Sequence, residues 1–350
     1  MGSHPLSSRP SVSVVIPTYN RADWLPETVA SVLSQTVVPD EIIIVDDGST
    51  DHTEDLCSSF PHPVRYVRQE NAGVGAARNR GMEEASGEFI GLVDSDDVWE
   101  PSKLEVQLEF HRRRPELGWS VTNAITVGLD GNKLAGNQGF ARNFGVFRAM
   151  RETPEEFFTR WFESMTIHAG GAEHLAWYGD AFTPLFHGNF TSPTCVLLRR
   201  DVVDEAGMFD VSFRLAEETE YFHRVAAVAP LGIIATPLFR WRVGQVVSLV
   251  SAANVVTLIR NALESGARAA RLRTPLPPEA AKAWAAGRRR LLYELAYTHL
   301  SLREGAQARS AAQEVWAAGS RSPKLMALWM AGWLPRWALA GMHAVKRALA

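Results

Sequence analysis

Over the first hundred residues, short β-branched runs alternate with stretches whose apolar residues recur at helical spacing. Ser11 to Ile16 (SVSVVI) is β-branched and halts at Pro17, which marks a strand. Trp24, Val29, Val32 and Leu33 then follow at the spacing of one helical face, with Asp23 placed to cap the helix. Glu41 to Val45 (EIIIV) is almost continuously apolar, as expected of a strand covered on both faces. A short helix over Thr50 to Ser58, a strand over Val64 to Val67, an alanine-rich helix over Gly73 to Ala85 and a strand over Glu88 to Val93 complete the series. This alternation predicts an α/β fold with a doubly wound, mostly parallel sheet.

Beyond Trp119 the pattern weakens, and glycine, asparagine and aromatic residues mix as far as about His187. Residues 119–190 therefore read as an irregular insertion that would shape a ligand pocket. Periodicity returns with a strand over Pro193 to Leu198, a helix over Glu217 to Ala227 and a strand over Leu231 to Thr236. From about Ser251 the chain is rich in alanine, leucine and arginine without a strand signal, which predicts a helical appendage. The expected organisation is a tag-like or disordered N-terminus at 1–10, an α/β domain at 11–248 and a helical region at 249–350.

Composition narrows this only in part. Hydrophobic residues make up 46% and charged residues 21% of 350, an ordinary globular balance, and the net charge of −3 gives no electrostatic footing for nucleic acid. Two cysteines, Cys57 and Cys195, are too few for a structural zinc site and read as small buried residues. The polar opening Met1-Gly2-Ser3-His4 lacks the apolar stretch of a signal peptide, and no run approaches the roughly 20 apolar residues that span a bilayer. A cytoplasmic location is expected.

Doubly wound sheets bind ligands beyond the carboxyl ends of their strands. The polar residues that follow the predicted strands are Thr18, Tyr19 and Asn20, then Asp46 and Asp47, then Asp94, Asp96 and Asp97, so all three sets gather on one edge. In Asp94-Ser95-Asp96-Asp97, three carboxylates within four residues repel one another and call for positive charge. A hard cation, Mn2+ or Mg2+, held with a substrate diphosphate meets that need; a solvated turn in which Asp97 caps the next helix is the plainer alternative. Asp46-Asp47-Gly48 offers a carboxylate to a ribose or base, or begins a turn in which Ser49 or Asp51 caps a helix. Asn71 to Asn79 (NAGVGAARN) opens a helix that carries Arg78, and helix starts favour phosphate. Glu217, Glu218 and Glu220 open another helix, either as compensation of its dipole or as a source of a general base.

Taken together, VSVVIPTYNR (Val12 to Arg21), SVLSQT (Ser31 to Thr36), EIIIVDDGSTD (Glu41 to Asp51), NAGVGAARNRG (Asn71 to Gly81), FIGLVDSDDVW (Phe89 to Trp99), GMFD (Gly207 to Asp210) and the pair Glu217-Glu218 closely resemble the family-2 inverting glycosyltransferases of GT-A fold. The resemblance covers roughly the first 250 residues, in the family's order. It implies a nucleotide-sugar donor, expected to be UDP-linked, with Pro17, Thr18, Tyr19, Asp46 and Asp47 around base and ribose and Arg78 nearby. It also implies Asp94 and Asp96 as a D-x-D pair flanking Ser95, with Asp96 the metal ligand, and a base in the glutamate pair. The family usually has aspartate where Glu218 stands, so Glu218 and Glu217 both remain base candidates. The acceptor is a saccharide, a lipid-linked glycan or a small molecule, in a role such as bacterial polysaccharide assembly; self-association stays open.

Two rivals remain. A non-catalytic sugar-nucleotide-binding scaffold would keep the fold, and a nucleotidyltransferase would also use acidic metal sites, although no G-x-x-x-x-G-K-[ST] loop is present. Near the C-terminus, Leu325 to Leu334 is apolar, and Trp329, Trp333 and Trp337 are spaced four apart. The formal charges from Lys324 onward (Lys324, Arg336, Lys346 and Arg347) are all positive. Such a helix lies in a membrane interface, here the inner face of the cell membrane, or packs against protein.

Overall fold

The computed structural model describes residues 10–134, 139–140, 147, 150–244, 252–319 and 322–335. The chain divides into two compact units, Met1–Val246 and Val247–Ala350.

The first unit is built on one sheet. Its opening strands are β1 (Val12–Thr18), β2 (Glu41–Asp46), β3 (Val64–Arg68), β4 (Phe89–Leu92) and β5 (Val98–Trp99). They are followed by β6 (Trp119–Val127), β7 (Glu163–Ala169), β8 (Ala172–Gly179), β9 (Leu197–Arg199) and β10 (Leu231–Arg242). The order across the sheet is β3-β2-β1-β4-β9-β6-β10-β8-β7, with β5 paired to β10. The segment β3-β2-β1-β4 is parallel throughout, and β1 is buried along its whole length. Short parallel strands can pair this way only through crossovers, and helices α1 (Leu25–Leu33), α2 (Thr53–Cys57) and α3 (Val74–Glu84) supply them.

Register decides where the chemistry sits. Thr18 lies opposite Asp46, Asp46 opposite Arg68, and Val15 opposite Leu92. Strand β4 ends at Leu92, three residues short of the end of β1, so the acidic turn leaves the sheet beside the last residues of β1. The polar ends of three strands share one edge, as the sequence predicts. Helix α3 is seated by Gly81, where a Cβ would collide with Val15 of β1, so the helix lies directly on the strand.

Several expectations are corrected. Helix α1 has Trp24 at its N-cap position with no side-chain cap, so Asp23 does not play that part; Pro26 in the first turn lessens the need, since it brings no N–H. Asp97 caps no helix, because β5 follows it and the next helix, α4 (Lys103–Arg113), begins later. The stretch from Trp119 is not irregular: it carries β6 within the sheet, α5 (Pro154–Trp161) and the β7–β8 hairpin. Its aromatic residues make a core, with Phe157, Phe158 and Phe190 in edge contact at 5.5 to 5.9 Å. His174 is buried and bonded to Thr236 and Ala169. After α6 (Phe182–Leu185) and β9 come α7 (Arg200–Ala206) and α8 (Glu217–Val228). The final strand runs on to Arg242, well past Thr236.

The second unit contains α9 (Ala252–Ala269), α10 (Pro278–Ser301), α11 (Gly305–Ala317) and α12 (Pro323–Ala331). They close around Ile259, Leu292, Leu295, Ala312, Val315 and Leu325. Trp329 and Trp333 meet at 6.0 Å, whereas Trp337, Arg336, Lys346 and Arg347 lie outside the described residues.

Candidate active site

The two aspartates that end β2 separate. Adjacent strand residues point to opposite faces, and Asp46 turns inward. It is fully buried, and its carboxylate accepts from the Tyr66 hydroxyl at 2.6 Å and the Ser49 backbone N–H at 2.8 Å. It holds the turn after β2 rather than facing a ligand. Asp47 accepts from the Gln69 amide at 2.7 Å and from the backbone N–H groups of Ala72 at 2.9 Å and Gly73 at 2.8 Å. This bends the loop before α3 across the strand ends, and Gly73 permits the turn with φ of 93°. Asn20 locks the loop after β1 by accepting from the Thr50 N–H at 2.8 Å. Pro17 is buried in β1, whereas Tyr19 stands 45% exposed over the rim. The Thr18 hydroxyl is buried without a hydrogen-bond partner, a state a folded chain seldom leaves unfilled.

The acidic turn after β4 meets two arginines. Arg78, on α3, donates to Asp94 at 2.8 Å and to Glu217 at 2.7 Å. Burial pulls its pKa down, but the carboxylates of Asp94 and Glu217 outweigh that and hold the guanidinium protonated beyond its ordinary range. Arg21 reaches Asp96 at 3.4 Å. The chain thus supplies part of the positive charge the acidic cluster requires. Ser95, between the two aspartates, is buried. Burial, then the charges of Asp96 and Asp94, raise the Asp97 carboxyl well above the usual range.

Helix α8 closes the site. The Asn79 amide donates to the Phe209 carbonyl and accepts from the Phe209 N–H, both at 2.8 Å, tying the Gly207–Asp210 segment to α3. Phe209 stacks on Tyr221 at 4.0 Å and lies 5.5 Å beneath the Arg78 guanidinium. Of the three glutamates opening α8, Glu217 is paired with Arg78 and Glu220 with Arg224. Glu218 enters no ion pair among the described residues. Burial, then the neighbouring Glu217, pushes its carboxyl up to about 7.

Asp94, Arg78, Glu217 and Glu218 are therefore brought together, with Asp96 beside them and Asp47 behind the loop. Sequence reasoning missed Arg21, Thr194 and Arg242. Arg21 lies inside the VSVVIPTYNR motif, but no local signal marks the other two. Among the described residues, no group of three or more His, Cys, Asp or Glu side chains could cage a metal by itself. Asp94 and Asp96 still fit a hard divalent cation, which takes one or two carboxylates and completes its shell from substrate phosphate and water. A cavity of about 540 Å3 opens elsewhere, lined by Thr36, Glu100, Ser102, Lys133 and Arg240, and none of the rim carboxylates lines it.

The family model Glycosyl transferase family 2 matches residues 13–207. The putative teichuronic acid biosynthesis glycosyltransferase TuaG of Bacillus subtilis is 40% identical over 130 residues, covering 36% of this chain and 51% of that protein. Glycosyltransferase GlyA of Streptococcus pneumoniae serotype 4 is 40% identical over 97 residues, 27% of this chain and 14% of its own length. The chain thus spans about half of TuaG and a smaller part of GlyA. Among solved structures, S. aureus TarS 1–349 in complex with UDP-GlcNAc aligns with a TM-score of 0.55 at 19% identity, over 91% of this chain and 83% of that one. The mannosyltransferase from Pyrobaculum calidifontis in complex with GDP-Man and Mn2+ aligns with a TM-score of 0.56 at 18% identity, over 98% and 81%. These likenesses show the fold, a GT-A type α/β sheet with a helical C-terminal region.

Proposed function

We infer that this chain, which belongs to glycosyl transferase family 2, moves a sugar from a UDP-linked donor to a hydroxyl of a saccharide acceptor, with inversion, in polysaccharide or glycoconjugate synthesis. The observation that carries the reading is Arg78, which joins Asp94 of the acidic turn to Glu217 beside Glu218 and so draws a donor end and a base end into one site. Asp94 and Asp96 would hold Mn2+ or Mg2+, which when bound neutralises charge on the departing diphosphate. Thr18, Tyr19 and Asp47 border the nucleotide, and the unpartnered Thr18 hydroxyl supports a polar ligand there. Glu218 takes the proton of the incoming hydroxyl. Glu217, held by Arg78, positions rather than reacts. UDP-GlcNAc in the TarS complex and the teichuronic acid named for TuaG support the donor and acceptor classes.

The test is release of UDP from a panel of UDP-sugars with Mn2+, paired with calorimetric binding of UDP. Asp96→Ala is expected to lose Mn2+-dependent UDP binding by at least about tenfold, a loss of about 1.4 kcal/mol. Release of UDP from no donor, or unaltered binding in Asp96→Ala, would sink this reading.

The helical unit supports a peripheral membrane contact as part of this reading. Met326, Met330, Trp333 and Leu334 are exposed, and the formal charges from Lys324 onward are positive. No helix among the described residues is long and apolar enough to cross a membrane. Since Leu325 is buried in the unit's core, deleting this helix would damage the fold, and surface substitutions are the better probe. Met330→Glu with Trp333→Glu is expected to reduce cosedimentation with anionic liposomes roughly tenfold; equal sedimentation would refute the contact.

A further inference from the structure

The acidic turn is held by a residue that contacts no carboxylate of the D-x-D pair. Thr194 lies in a one-turn 3-10 helix, Pro193–Cys195, just before β9, about a hundred residues from the turn in sequence. It is fully buried. Its hydroxyl accepts the Asp94 backbone N–H at 3.1 Å and donates to Asp97 Oδ2 at 2.7 Å. Its carbonyl accepts the Trp99 indole N–H at 3.0 Å. Three bonds thus join the segment 94–99 to this one residue.

The remaining sides of the turn are held as well. The other Asp97 oxygen accepts the Arg242 backbone N–H at 3.0 Å, and the Asp96 carbonyl accepts the Arg242 Nε–H at 3.0 Å. The Asp97 carbonyl takes the Thr28 hydroxyl at 2.8 Å, and the Asp97 N–H closes the turn on the Asp94 carbonyl at 3.0 Å. The backbone at Asp94 and the side chain at Asp97 are therefore clamped, while the Asp94 and Asp96 carboxylates engage Arg78 and Arg21.

We propose that Thr194 is the positioning residue of the donor site, its hydroxyl fixing the backbone that aims Asp94 and Asp96. The proposal rests on the reading of this rim as the site for a nucleotide diphosphate and its cation. The chemistry demands a hydroxyl, because one group must accept from an N–H and donate to a carboxylate at the same time. Valine fills the same space and does neither, leaving a buried N–H and a buried carboxylate oxygen unpartnered. Serine does both. A carboxylate that swings by about an ångström no longer meets a cation held by a diphosphate, so the effect belongs to donor affinity.

The experiment compares full-length wild type, Thr194→Val, Thr194→Ser and a control, Val203→Ala, which removes buried apolar volume in α7 outside the site. Two readouts are taken: amide hydrogen exchange of the segment 94–99 without nucleotide, and the Kd for UDP with Mn2+ by calorimetry. Thr194→Val is expected to exchange about tenfold faster over 94–99 and to bind UDP with Mn2+ about tenfold more weakly. Thr194→Ser stays within about twofold of wild type on both, and Val203→Ala lowers Tm while leaving both unchanged. Should Thr194→Val not fold, Thr194→Ala, which removes the same hydroxyl without added bulk, carries the same expectation. Wild-type exchange and affinity in the valine variant, equal impairment in the serine variant, or the same pattern in Val203→Ala would overturn the proposal. A wild type that binds no UDP with Mn2+ refutes the donor reading instead, and the exchange data still decide whether Thr194 clamps the turn.

Discussion

Glu218→Gln is expected to lower kcat for glycosyl transfer by about a thousandfold while leaving the Kd for UDP within about twofold, the loss a missing general base produces. The amide keeps the shape of the side chain but cannot accept the proton of the incoming hydroxyl. The wild-type pH profile is expected to carry the same signature. With the Glu218 carboxyl raised to about 7 by burial and by Glu217, the basic form grows as pH rises, so activity climbs through that value and falls away below it. Stability runs the other way. The folded form holds this proton above the ordinary value of 4.5, whereas the unfolded chain has released it, so stability declines as pH rises from there to about 7. Glu218→Gln, which cannot charge, should accordingly match or exceed the wild-type Tm at pH 8. A variant with normal turnover, or one that loses turnover only by unfolding, contradicts the assignment.

Removing Arg78 is expected to be the most damaging change to the fold at this site. Arg78→Met keeps the bulk of the chain but leaves Asp94 and Glu217 facing each other without the buried cation they share. Taking one partner from a buried ionic group costs about 3–5 kcal/mol, because the remaining charge stays in a poor solvent. Denaturant unfolding of Arg78→Met beside wild type at neutral pH measures this directly. Arg78→Lys should recover only part of the loss, because a single ammonium cannot span two carboxylates as the planar guanidinium does. Equal stability of wild type and Arg78→Met at neutral pH would show that the bridge is incidental.

The N-terminal half of the sheet was legible because its strands are parallel and covered on both faces, so β1, β2 and β4 read as nearly unbroken apolar runs. Strand β6 escaped notice for the opposite reason. Ser120, Thr122 and Thr126 are buried within it, and the resulting mixture looks like loop. Ser120 earns its place through the Gln107 and His111 side chains of α4, which the local sequence does not reveal. The site divides in the same way. Asp94, Arg78 and Glu217 each stand in a recognisable motif, but the bonds that unite them cross 16 and 139 residues. Asp46 and Asp47 looked alike as neighbours in a motif, and only the alternation of a strand end told the inward carboxylate from the loop-holding one.

The contact of α3 with β1 has a bearing on how loss-of-function maps of this protein are interpreted. Gly81 meets no ligand and carries no reactive group, yet the absence of its side chain lets the Arg78 helix rest on Val15. A methyl group there would lift the whole helix and carry the guanidinium away from both of its acids. In a saturation-mutagenesis screen, position 81 would therefore score beside Glu218, marking a packing seat and not a contact.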